Sequence, residues 1–202
     1  MQFLPEHTYH VYNQGNNQAP IFFDREDYLL FVEKMRKALM PNASILAWCL
    51  MPNHFHWLIQ VNEDYEVLHD PNQMTRKLNP LNKDIGTLLS SYSQLINKKY
   101  NRTGSLFRKR TKAKSLSEDR NGSRNQGINC FLYIHQNPLK ACLVDNMEEW
   151  EFSSFRDYLG IRNGDLCNQA LAKELFKLPV KPNEFHKLSL KTIPDHITKK
   201  LF

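Results

Sequence analysis

Two groups of side chains in this 202-residue chain have the types and spacing to do chemistry. The first is His54-Phe55-His56, inside "LAWCLMPNHFHWLIQV" (46–61). Side chains alternate along a strand, so both imidazoles point to one side while Phe55 and Trp57 point to the other. If Phe55 and Trp57 cover the core, the imidazoles face outwards from the sheet, close enough to share one metal ion. The second group is Tyr133 and Asn137 in "INCFLYIHQNPLKACL" (128–143). They stand four residues apart, hence one turn apart on the same side of a helix. That side is not the apolar stripe of Ile128, Phe131, Leu132 and His135, so a phenol and an amide are available there. On the residues alone, plainer accounts stay open: two surface histidines, a helix-edge tyrosine, and an asparagine capping the helix before Pro138. Two imidazoles also make a poor metal site, so a third ligand is needed.

A third feature is charge. Between 97 and 116 the chain carries Lys98, Lys99, Arg102, Arg108, Lys109, Arg110, Lys112 and Lys114, with no acid. Taking those eight from the net charge of +6 leaves the rest of the chain at −2. The basicity is therefore a local patch, which suits a polyanion better than general solubility does. Tyr100, Phe107 and Gly104 are interleaved with it, and flat rings among cations suit bases and phosphates.

The elements that must position these residues follow from pattern. Residues 7–15, "HTYHVYNQG", read as a strand closed by a polar turn. Asp24 is an N-cap, with Asp27 in the first turn, for a helix carrying Tyr28, Phe31, Val32, Met35 and Leu39. Residues 44–51 and 54–61 form a hairpin around Pro52-Asn53. Residues 62–83, with Pro71 and Pro80, read as a loop, and Asp84 as the cap of a helix on Ile85, Leu88, Leu89, Tyr92 and Ile96. Residues 105–116 read as a basic strand, 118–127 as a polar linker, and the helix of Tyr133 follows. Residues 166–178 predict another amphipathic helix, and the basic stretch after them has no clear pattern. The order β-α-β-β-α-β-α predicts an α+β, ferredoxin-like split βαβ fold: an antiparallel sheet with helices on one face, then a C-terminal helical extension.

The first fifteen residues lack the charged and apolar regions of a signal peptide, and no run approaches the roughly 20 apolar residues of a membrane span. Cys49, Cys130, Cys142 and Cys167 are scattered, as in reduced thiols. The expectation is a cytoplasmic protein with no membrane partner.

In order, "MPNHFHWLIQ" (51–60), "SYSQLINKKYNRTGSLFRKRTKAK" (91–114), "YIHQNPLKACLV" (133–144) and "WEFSSFRDYLG" (150–160) resemble the HUH single-tyrosine transposases, in particular their REP-associated branch. The likeness runs over about 9–160, which makes 1–160 the catalytic domain and 161–202 a basic helical extension. The resemblance implies His54 and His56 as ligands of Mg²⁺ or Mn²⁺ and Tyr133 as the nucleophile. It implies Asn137 as third ligand, with Gln136 as a fallback, and hairpin-forming single-stranded DNA as substrate. The eight basic residues would then bind DNA. His135 departs from the family pattern, which has an aromatic or apolar residue there. The chemistry would be nicking and rejoining through a 5′-phosphotyrosine, because a tyrosine ester keeps the bond energy that hydrolysis would lose. Two alternatives stand beside it: a metal-dependent nuclease using water, and a non-catalytic module that binds DNA or RNA hairpins. Tyr92 is the runner-up nucleophile, although its spacing makes it a core residue first. The sequence leaves open a monomer or a homodimer, and with that whether Tyr133 serves its own chain's metal or a partner's.

Overall fold

The computed structural model describes residues 2–66, 68, 69, 77–117 and 123–201, with no side-chain description at 68, 69, 77, 78, 123 and 124. Strand β1 (Thr8–Gln14) leads to helix α1 (Arg25–Leu39). The helix starts where the sequence predicts: Asp24 Oδ1 accepts from the Asp27 amide at 3.0 Å, and Asp27 Oδ2 accepts from the Asp24 amide at 3.2 Å. This reciprocal pair satisfies two orphan amides of the first turn. Strands β2 (Ala43–Met51) and β3 (His54–Val61) form the expected hairpin.

The expected 62–83 loop differs. A two-residue pairing, β4 (Leu68–His69) with β5 (Lys77–Leu78), lies inside it, while 67 and 70–76 fall outside the described residues. Helix α2 (Pro80–Lys99) begins before Asp84, capped by Asn79, whose Oδ1 accepts from the Asn82 amide at 3.2 Å. Pro80 does not break this helix; its fixed φ suits the first helical position, where the missing N–H costs nothing. Asp84 instead accepts from Asn42 Nδ2 at 3.1 Å.

The basic segment is also shorter as a strand than expected. Only β6 (Lys112–Ser115) pairs with β1, with one further bridge between Gly15 and Phe107. Between them, Asn13 Nδ2 donates to the Arg108 carbonyl at 3.2 Å and to Thr111 Oγ1 at 3.0 Å. The Arg108 amide still donates to the Gln14 carbonyl at 2.9 Å, and beyond it the Asn13 side chain takes the place of ladder bonds where the segment up to Thr111 bows out of register.

The sheet order is β2-β3-β1-β6, with every pairing antiparallel. This is the split βαβ order, and the chain is α+β. Helices α1 and α2 cover one face, where Phe31 meets Tyr92 at 4.8 Å and Phe55 at 5.4 Å between ring centres. Tyr92 is fully buried there and donates its hydroxyl to the Ile21 carbonyl at 2.8 Å, which makes it a core residue.

Helix α3 (Ser123–Lys140) lies on the opposite face, over β2 and β3. Its outer side is covered in turn by α4 (Phe155–Tyr158), α5 (Gln169–Phe176), α6 (Pro182–Ser189) and α7 (Asp195–Thr198). Phe131 meets Tyr158, Phe176 and Phe185, and His135 meets Phe155. Almost all of 130–138 is therefore buried, Tyr133 being the half-exposed exception. The expected polar flank is not a solvated one: Gln136 and Asn137 are buried. Gln136 Nε2 donates to the Ser189 and Lys191 carbonyls, both at 2.8 Å, which ties the extension to α3. Buried among rings, His135 meets Ser154 Oγ at 2.7 Å through Nε2, and Ser154 Oγ accepts from the Trp48 amide at 3.0 Å. Burial holds His135 down to about 3, so it is neutral. All four cysteines are free thiols, with only Cys142 exposed. Among the described residues no helix is long and apolar enough to cross a membrane.

Candidate active site

Register decides which side chains meet. Tyr12 lies opposite His56, and His10 opposite Leu58, so His10, Tyr12, His54 and His56 share the sheet face that carries α3. Lys112 and Lys114 are opposite Tyr12 and His10 on β6, and join that face.

The two histidines differ in exposure. His54 is half-buried, whereas His56 is 3% exposed, because α3 closes over it. Their ring centres are 5.0 Å apart, with planes at 81°. His54 Nδ1 donates to Asn53 Oδ1 at 2.6 Å, and Asn53 is held by its Nδ2 donating to the Gln18 carbonyl at 3.2 Å. A neutral imidazole that donates through Nδ1 carries its lone pair on Nε2. His56 Nδ1 meets His10 Nε2 at 2.9 Å. Burial lowers His54 to about 4; it lowers His56 well below the ordinary range, with the neighbouring His10 and His54 adding to the effect. Both rings are therefore neutral at pH 7, the state in which imidazole binds metal.

Tyr133 projects from α3 to the same place, its ring centre 5.5 Å from that of His56. The tyrosine thus reaches the histidines of its own chain. Burial pushes its phenol up to about 12, while a hydrogen bond from the Asn137 side chain acts against that rise. Asn137 Nδ2 also donates to the Tyr133 carbonyl at 2.9 Å, and Lys140 Nζ lies 5.8 Å from the centre of the Tyr133 ring. Asn137 therefore packs beneath the tyrosine. Pro138 does not end the helix, which runs on to Lys140.

A pocket of about 410 Å³ collects these groups. His54, His56 and Tyr133 line it together with Tyr12, Asn13 and Gln14 of β1 and the cations Arg108, Arg110 and Lys112. No carboxylate is among the lining residues. The bowed segment held by Asn13 is what brings Arg108 and Arg110 here. The rest of the basic run divides. Lys99 Nζ bonds Asp24 at 2.7 Å and the buried Asp27 at 2.8 Å, and Arg102 stacks on Phe23 at 5.2 Å. Lys98 and Lys109 are exposed and outside the pocket lining.

Among the described residues, no three His, Cys, Asp or Glu side chains cluster as a metal site. Two neutral imidazoles nevertheless fit an open divalent site whose other ligands are oxygens from an amide, water or a phosphate. His10 and Tyr12 are absent from the sequence-based set. Period-2 alternation in "HTYHVYNQG" puts them on one side, and the split βαβ order places that strand beside the histidine strand, so a signal was there.

Comparison with known proteins adds the fold. No protein-family model matches the chain, and no curated protein does. The fold is similar to that of a transposase. A solved structure of the REP-associated tyrosine transposase bound to a REP hairpin superposes with a TM-score of 0.55, covering 79% of this chain and 83% of that one. Sequence identity is 15%, so the likeness is one of architecture.

Proposed function

We propose that the protein nicks and rejoins hairpin-forming single-stranded DNA, with Tyr133 as nucleophile and His54 and His56 as ligands of a divalent metal. The observation that carries this reading is the single pocket in which a tyrosine, two neutral imidazoles and three cations meet without a carboxylate. The similar transposase fold supports it.

Arg108, Arg110 and Lys112 would hold the phosphates flanking the scissile bond. Tyr133 Oη attacks phosphorus, its proton passing to water, and the bond from phosphorus to the 3′-oxygen breaks. The products are a 5′-phosphotyrosine and a 3′-hydroxyl that takes up a proton, and reversal of the step rejoins strands. When bound, the metal supplies a Lewis acid for the phosphate oxygen. Tyr133 needs such help, since a phenol pushed up to about 12 is a weak nucleophile at pH 7. Asn137 holds Tyr133 through its carbonyl and phenol; it is not among the pocket-lining residues, and its Oδ1 would serve as a further ligand from beneath them.

The test is incubation of the protein with Mn²⁺ and a hairpin-forming single strand, followed by denaturing electrophoresis. A covalent protein–DNA adduct is expected from wild type and from Tyr92→Phe, and none from Tyr133→Phe, which should still bind DNA. Cutting by Tyr133→Phe with a free 5′-phosphate would instead make water the nucleophile. Tight binding with no cutting by any form would leave a hairpin-binding module.

A further inference from the structure

His10 is fully buried in the middle of β1, and both its ring nitrogens are engaged in a chain of contacts that runs across the fold. Its Nδ1 lies 2.9 Å from the carbonyl oxygen of Leu201, and its Nε2 lies 2.9 Å from Nδ1 of His56. Leu201 ends the short turn Lys199–Leu201 and is itself buried, so the carbonyl is fixed in place. We infer that His10 is a positioning residue, which uses the Leu201 carbonyl to lock His56 in the tautomer whose lone pair sits on Nε2.

The logic is directional. A carbonyl only accepts, so His10 must donate to Leu201 from Nδ1. A neutral imidazole has one N–H, so His10 Nε2 carries the lone pair and accepts from His56 Nδ1. His56 then has its proton on Nδ1 and its lone pair on Nε2. His10 is fully buried between Leu58 and Lys114 on the flanking strands, surroundings that disfavour a second proton on its ring. His54 reaches the same tautomer through Asn53. Two independent devices thus give the pair one outcome. Metal-binding histidines are commonly oriented by a partner on the second nitrogen, and loss of such a partner weakens binding by about 10- to 100-fold. Here the partner is a third histidine, anchored by the far end of the chain.

The inference uses the proposed function only in giving the His56 lone pair a metal to serve; the tautomer can be read without activity. In ¹⁵N-labelled full-length protein at neutral pH, long-range ¹H–¹⁵N correlation should show His56 protonated at Nδ1. His10→Phe fills the space but removes both bonds, so His56 should become a mixture of tautomers, and Mn²⁺ affinity should fall about 10- to 100-fold. His10→Gln should restore both, because an amide oxygen accepts from His56 while the amide nitrogen donates to Leu201. A wild-type His56 protonated at Nε2 overturns the inference, and that measurement needs no variant. So does a His10→Phe protein whose His56 tautomer and Mn²⁺ affinity match wild type. If the tautomer shifts as expected while wild type neither binds Mn²⁺ nor forms an adduct, the positioning role stands and the metal-dependent nicking falls.

Discussion

Salt dependence separates the basic residues that face DNA from those that hold the fold together. By sequence the eight form one run, but only Arg108, Arg110 and Lys112 line the pocket. Each phosphate contact to a single strand releases about 0.7 of a counterion, so three contacts contribute about 2 units to the slope of log affinity against log salt. Replacing all three with Gln should flatten the slope by about that much. Between about 50 and about 200 mM salt, a slope of about 2 corresponds to a roughly 20-fold change in affinity. The triple variant should therefore lose most of its affinity deficit as salt rises, because the contacts it lacks are the ones that salt weakens. Lys99 is the internal control. Its ammonium is held by Asp24 and Asp27, and the same carboxylates accept from the Tyr100 hydroxyl at 2.8 and 2.9 Å. Lys99→Gln should leave the slope unchanged and lower the melting temperature, since buried Asp27 loses its counter-charge. Fluorescence anisotropy of a labelled hairpin with a single-stranded flank, titrated at four salt concentrations, gives the slopes. If Lys99→Gln flattens the slope as much as Arg108→Gln does, or if the triple variant keeps the wild-type slope, the division of the run by the fold is wrong.

His54→Ala and His56→Ala should each abolish adduct formation with the fold retained, as judged by circular dichroism, and excess chelator should do the same reversibly; full activity in chelator would end the metal reading. Asn137→Ala should be milder at the metal, since water can fill an open position, but should slow the chemical step by freeing Tyr133. Ser154→Ala leaves the buried Trp48 amide and His135 without their shared partner and should cost about 1–3 kcal/mol in urea unfolding; no measurable change would contradict that account. His135 is lowered by burial from 6.5 to about 3. The unfolded chain thus binds the proton first, and its contribution is complete above the unfolded value and lost as pH falls towards the folded one, at up to about 1.4 kcal/mol per pH unit. His135→Phe should flatten the acid limb of stability against pH, and parallel curves for the two proteins would refute it.

Much of the frame is legible locally. The Asp24–Asp27 capping box, the Pro52-Asn53 turn and the alternation of His54-Phe55-His56 involve residues within a few positions of each other, and chain-neighbour physics alone determines them. The order of the four strands of the main sheet and of α1, α2 and α3 is equally legible, because each amphipathic pattern has its own period, whereas β4, β5, α6 and α7 left no such pattern. Pro80 shows where local rules mislead: the same residue breaks a helix interior and suits a first turn, and the Asn79 cap decides which. What only the tertiary structure decides is which faces are covered. Alternation put the histidines away from Phe55 and Trp57, yet α3 buries His56, which keeps it neutral, and seats Asn137 beneath Tyr133. The run from 98 to 114 reads as one patch because charge is counted along the chain. The fold spends Lys99 on Asp27, and through Asn13 turns Arg108 and Arg110 towards the histidines. His10 meets Leu201 across nearly the whole length of the chain. Such pairings depend on strand order and on closure over long loops, and residue types at short spacing carry no record of either.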